Sequence, residues 1–215
     1  MNVSVLQATP RRRLLTATGI AGIGYTLSWI AGLSMPAPSP DPTASGAAII
    51  AALTGHGTAV ATQFVLTEGL PAAGLAIVSF ALARAARSAG SVTTARLAAT
   101  AGIAAALMSL AEFVIGIALV RTGVPGTAHL LDGALNRLDG AKMLALACLG
   151  AAAATSAQLP RWLRYAAIAL AIAITVSGIA YLLLLPGMVM LAAPALVLLL
   201  IFITGTGIVL GTKGW

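Results

Sequence analysis

Of 215 residues only five are acidic: Asp41, Glu68, Glu112, Asp132 and Asp139. Glu68 and Glu112 fall inside long apolar runs. An ionisable group in hydrocarbon is costly and marks a functional position by default. If two such carboxylates face one another in a low dielectric, at least one holds a proton near neutral pH, as a proton carrier or general acid does. Pro71 follows Glu68 by three residues, lacks a backbone donor, and is expected to kink the helix there. Gln63 and Thr67, four apart, share a helical face, and Ser109 lies one turn before Glu112. His129, Asp132, Asn136 and Asp139 follow a 3-4-3 spacing and form a stripe roughly 80° wide. Lys142, three residues past Asp139, is placed to pair with it.

These residues group into a candidate ligand pocket of Gln63, Glu68, Glu112, Asn136, Asp139 and Lys142. Glu68 and Glu112 are its deep members; with Asp139 they would be the acid–base groups of an enzyme. The opposing expectation is structural, with charges pairing across helices to fix packing. His129 and Asp132 then read as a solvated helix start, and His56, between two glycines, as loop.

The elements that must position these groups follow from composition. Hydrophobic residues make up 60% of the chain and charged ones 8%, with a mean hydropathy of +1.02. Repeated apolar stretches of about twenty residues give an all-α, polytopic membrane protein, a single domain of six transmembrane helices. The spans are expected at about 14–34, 57–83, 97–120, 135–157, 165–185 and 189–211. The first follows Arg11-Arg12-Arg13 and reads as a retained helix rather than a signal peptide, being longer than a typical h-region and lacking an A-x-A site. Residues 35–43, MPAPSPDPT, form a proline-rich outer linker, and 44–54 an interfacial helix or the start of span 2. Turns are expected at 122–127 and at Pro186-Gly187. With the N-terminus inside, Arg11, Arg12, Arg13, Arg84, Arg87, Arg96, Arg161, Arg164 and Lys213 are cytoplasmic. Arg121, Arg137 and Lys142 are then on or toward the outer side. Nine against three puts both termini in the cytoplasm.

The net charge of +7 belongs to these flanks and not to nucleic-acid binding, because no basic stripe interleaves with aromatics. One cysteine, Cys148, excludes an internal disulfide and reads as inert packing; two histidines are too few for a histidine-only zinc site. No metal or cofactor is expected. Gly207 and Gly211 make a G-x-x-x-G, and Gly19, Gly22 and Gly24 cluster in span 1; close packing within the chain is expected, a homo-oligomer being the other use.

Three places resemble an uncharacterised bacterial family of six-helix integral membrane proteins, known only as a domain of unknown function. They are Val65-Leu-Thr-Glu68 running into Ala72-Ala-Gly-Leu-Ala-Ile77, Leu110-Ala-Glu112-Phe-Val-Ile-Gly116, and the Leu159-Pro-Arg-Trp-Leu163 loop between spans 4 and 5. The resemblance implies the six-helix architecture and singles out Glu68, Glu112 and Asp139. It implies no activity.

The leading expectation is a protein of the cytoplasmic membrane that binds a small amphiphile or cation in an outer-leaflet polar pocket, for transport, sensing or tolerance. The second is an intramembrane enzyme acting on a lipid or isoprenoid through the same carboxylates. The third is a structural or accessory membrane subunit.

Overall fold

The computed structural model describes residues 8–185 and 187–212, the side chains of 8–16, 188 and 189 excepted. Among the described residues there are seven helices and no strand. They are α1 (Ala8–Leu33), α2 (Gly46–Leu53), α3 (Gly57–Ser88), α4 (Val92–Arg121), α5 (Pro125–Ala154), α6 (Arg161–Leu182) and α7 (Met188–Thr212). α3, α4, α6 and the Met190–Thr212 part of α7 are long and apolar enough to cross a bilayer. The apolar part of α1, Ala17–Leu33, is shorter, and α5 carries charges in its first half. The helices also present large apolar side chains outward, among them Leu27, Phe80, Leu107, Val114, Ile172 and Val197. Apolar surface of that extent suits hydrocarbon rather than water, so the chain is a membrane-embedded protein.

Local chemistry sets the helix ends. α3 ends at Ser88, with Gly90 at φ +82° and the Ser91 N–H returning to Ala86 O, a left-handed glycine stop. Pro125 begins α5, where its missing donor costs nothing. Pro160 caps α6, and Arg164 Nε donates to Ala154 O (2.9 Å), covering the end of α5. The connections are short, so neighbouring helices run antiparallel. From α3 to α7 each helix packs on the next, and α1 closes the ring against α7 and α3.

The expected spans differ from the helices mainly at their starts. Span 4, expected from 135, is helical from Pro125, and span 3 from Val92. A hydropathy reading stops at charges, whereas backbone hydrogen bonding continues through them. The turn expected at 122–127 shortens accordingly to 122–124. Residues 46–53 form a separate helix rather than the start of α3. α2 has Ser45 as its N-cap and buries Ile49 and Leu53 against Val60, Leu119 and Ala128. It is therefore packed on the protein, chiefly on α5. The Arg11–Arg13 side chains, Pro186 and Lys213 lie outside the described residues.

In lipid, apolar side chains gain little by leaving hydrocarbon, so close backbone approach and polar links carry helix packing. α1 and α7 show this. A Cβ on Gly22 would sit 2.9 Å from Ile203 O, and one on Gly207 2.9 Å from Thr18 O. One turn further on, Thr26 Oγ1 and Thr204 Oγ1 are 2.6 Å apart. Gly22 and Gly207 thus serve a contact within the chain, whereas Gly24 has open space around it. Cys148 is exposed and not part of the packing expected for it.

Candidate functional site

The site begins with a defect in α3. Residues Val65–Gly69 form a π turn, with the Leu70 N–H bonded to Val65 O. In that register the donor for Leu66 O would come from residue 71, which is proline. Ser28 Oγ on α1 supplies the bond instead, at 2.6 Å. The kink expected at Pro71 is thus a π turn locked by a neighbouring helix. It contains Glu68, whose side chain is buried.

Glu68 meets the other charges at Lys142. Lys142 Nζ lies 2.8 Å from Glu68 Oε2, 2.5 Å from Glu112 Oε2 and 2.8 Å from Asp139 Oδ1. One ammonium on α5 therefore joins carboxylates from α3, α4 and its own helix. Lys142, Glu68 and Glu112 are all buried. Three donors on the ammonium match three carboxylates, yet the charges do not balance, since three carboxylates face one cation. Glu112 Oε1 is buried and has no hydrogen-bond partner among the described residues. Removing one partner of such a buried arrangement typically costs about 3–5 kcal/mol. A role in holding three helices together is thus built in.

Packing alone does not explain the space on either side. A cavity of about 400 Å³ has Lys142 in its wall, with mostly apolar neighbours such as Leu75, Leu146, Ile174 and Leu199. Leu33 of α1 and Ala192 and Leu196 of α7 also stand in its wall. A second cavity, of about 270 Å³, lies beneath the proline linker. It is lined by Glu68, Glu112, Asp132 and Asp139, four of the five acids in the chain, and by no Lys or Arg. Gln63 and Asn136 share that wall. Trp29, Leu33, Asp139 and Tyr181 line both cavities, so the two adjoin there. The first volume falls within the roughly 300–1,000 Å³ of ordinary small-molecule pockets, and the second just below it.

Each residue singled out in the sequence has a definite place. Glu68, Glu112, Asp139 and Lys142 meet in one cluster. Asn136 joins them through the polar cavity and donates to Asp132 Oδ2 (3.2 Å). Gln63 lines the same cavity, its backbone carbonyl accepting from Thr67 Oγ1 (3.0 Å), and Ser109 lines the apolar one. Asp132, expected in a wet helix start, is buried, because the linker folds across it. His129 is exposed, its Nδ1 3.2 Å from Ala44 O, tying α5 to the start of α2. His56 precedes α3 and is exposed. Arg137 is exposed and donates to Gly133 O (3.3 Å). Among the described residues no group of His, Cys, Asp and Glu is arranged to hold a metal ion.

The sequence reading missed Tyr25, Trp29 and Tyr181. Tyr25 and Trp29, four apart on α1, line the apolar cavity together with Tyr181 of α6. The available signal was position. It was weak, since Trp29 and Tyr181 lie within about a turn of their helix ends, where an interfacial belt places aromatics in any case.

No protein-family model matches the chain, and no curated protein or solved structure is similar to it. The family resemblance therefore rests on its three short motifs alone.

Proposed function

We propose that this is a six-span protein of the bacterial cytoplasmic membrane, both termini inside, that binds a small amphiphile. The basic residues support the orientation. Arg84, Arg87, Arg96, Arg161 and Arg164 lie at one end of the bundle, where Thr94 Oγ1 and Thr155 Oγ1 are 3.3 Å apart. The polar linker and α2 then face the outside, and the cavities open in the outer half. Membership of the six-helix family belongs to the same proposal, carried chiefly by the Leu159–Leu163 loop.

One observation carries the binding reading. The Lys142 cluster forms the partition between an apolar cavity and a polar one. A molecule with an apolar body and a polar head fits that pair of volumes, the body in the larger and the head in the smaller. Access runs through the gap between Leu33 and Leu196, level with lipid. A protein that only needed to fix its helices would gain by filling both volumes. Transport, sensing and tolerance each begin with such binding.

The test is thermal unfolding in lipid nanodiscs with single-chain amphiphiles. The midpoint is expected to rise with ligand concentration, by the equivalent of about 2.7 kcal/mol at a hundredfold excess over Kd. Ala192→Phe, placed in the rim of the apolar cavity, is expected to abolish the rise. Absence of any shift across chain lengths contradicts the proposal. The enzymatic reading draws on Glu112 Oε1, a buried carboxylate oxygen with no partner, as a general base. It requires a changed product in lipid extract incubated with the protein, and loss of that product in Glu112→Gln.

A further inference from the structure

We infer that the head group of the bound amphiphile is an organic ammonium, seated in the polar cavity behind a gate formed by Trp29 and Tyr181. The inference deepens the amphiphile-binding reading and rests on it.

Charge is the first argument. Four carboxylates line the polar cavity and no basic residue does. Lys142, in the wall of the neighbouring cavity, is already engaged by three of the four residues. An anionic head would enter a space where every ionisable side chain is acidic, with the nearest ammonium fully occupied. Even with one proton held by the Glu68–Glu112 pair, the carboxylates outnumber Lys142, and a neutral head leaves that excess uncompensated. A cation offsets it.

An empty acceptor is the second, independent argument. Glu112 is 3% exposed and lines the polar cavity, and its Oε1 has no hydrogen-bond partner among the described residues. Buried carboxylate oxygens are ordinarily satisfied. An unpartnered carboxylate oxygen behind the wall of an acidic cavity, its sister oxygen held by Lys142, favours a cationic group beside it.

The boundary between the cavities distinguishes an organic cation from an inorganic one. Trp29 and Tyr181 are shared by both walls, together with Asp139. Aromatic faces beside a carboxylate favour alkylammonium groups, which carry apolar methyls on a diffuse charge. The adjoining apolar cavity then receives the chain attached to that nitrogen. A bare metal ion would use neither feature.

The experiment uses full-length protein in zwitterionic nanodiscs, with Trp162→Phe and Trp215→Phe leaving Trp29 as the one tryptophan. Decyltrimethylammonium, 1-decanol and decyl sulfate are titrated, and Trp29 fluorescence is read against the same titration of protein-free discs. Decyltrimethylammonium is expected to bind at least tenfold more tightly than either of the others. Tyr181→Leu and Glu112→Gln are expected to erase most of that preference, read as the ratio of decyltrimethylammonium to 1-decanol affinity within each variant. Should Glu112→Gln fail to fold, Tyr181→Leu, outside the ion cluster, decides the matter alone. Equal or tighter binding of decyl sulfate, or a preference that survives in both variants, overturns the ammonium assignment and leaves amphiphile binding standing. No Trp29 response to any of the three overturns both.

Discussion

The two halves of the α1–α7 contact are built on opposite terms. Nearer the α1 N-terminus, Gly22 and Gly207 bring the backbones together, and Thr26 and Thr204 join hydroxyls across the contact. Nothing else fits between them. Nearer the α1 C-terminus the residues of these two helices are Trp29, Leu33, Ala192 and Leu196, and they border a cavity. The first region uses small residues to remove volume; the second keeps volume and surrounds it with aromatics and charges. Close packing and retained volume are thereby divided along one helix pair. The glycine contact holds the ring closed, which allows the other end to stay open.

Substitutions that break this division should rank by how much charge or volume they disturb. The largest effect is expected at the partition. Lys142→Met leaves three carboxylate side chains without their cation and should cost about 3–5 kcal/mol, measured by chemical unfolding in detergent. Neutralising Glu68, Glu112 and Asp139 as Gln, Gln and Asn in the same protein should recover most of the loss, since an apolar or neutral set can replace a buried ion cluster. If Lys142→Met is as stable as the parent, the cluster is not the anchor described here. Next comes the glycine contact. Gly22→Val should cost about 1–3 kcal/mol by overpacking, because its Cβ region meets Ile203 O and Gly207. Gly24→Val, with open space around its Cβ, should be nearly neutral. Equal effects at the two positions would erase the distinction between the halves. Ala192→Phe, at the open end, should change stability by less than about 1 kcal/mol, since it adds volume to a void, while removing amphiphile binding.

The smallest effect is expected outside the ring. Asp41 accepts from Thr43 Oγ1 (2.5 Å) and from the Thr43 N–H (2.8 Å). The hydroxyl first and the backbone donor second hold its carboxyl below the usual 3.8. A lowered value means the turn gains stability above pH 3.8 and loses it as the pH falls further. Asp41→Asn should therefore speed amide exchange at Thr43 near neutral pH and leave the ring untouched.

How much of this could be read in the sequence depends on distance along the chain. Glu68 and Glu112 were visible as charges inside apolar runs, and Lys142 with Asp139 as an i, i+3 pair. Helical periodicity could not place Lys142 between α3 and α4, because the rotation of one helix against another is set by tertiary packing. Pro71 announced a local break, but the π turn also needs Ser28, thirty-eight residues from its acceptor. Asp132 was read as wet because its own neighbours are polar; burial comes from Pro38, Pro40 and Pro42 of the linker, which share its cavity wall. Tyr25, Trp29 and Tyr181 went unnoticed because an aromatic residue in a membrane helix is ordinary until the cavity beside it is known.

Photolabelling tests the central claim most directly. A single-chain amphiphile with a diazirine near the head is activated in nanodiscs and the labelled peptides are sequenced. Cavity binding requires label concentrated on the C-terminal part of α1, around Trp29 and Leu33, and on Ala192–Leu196 of α7, with competition by unlabelled amphiphile. Label spread over the lipid-facing residues, such as Leu107 and Ile172, and insensitive to competitor would contradict it.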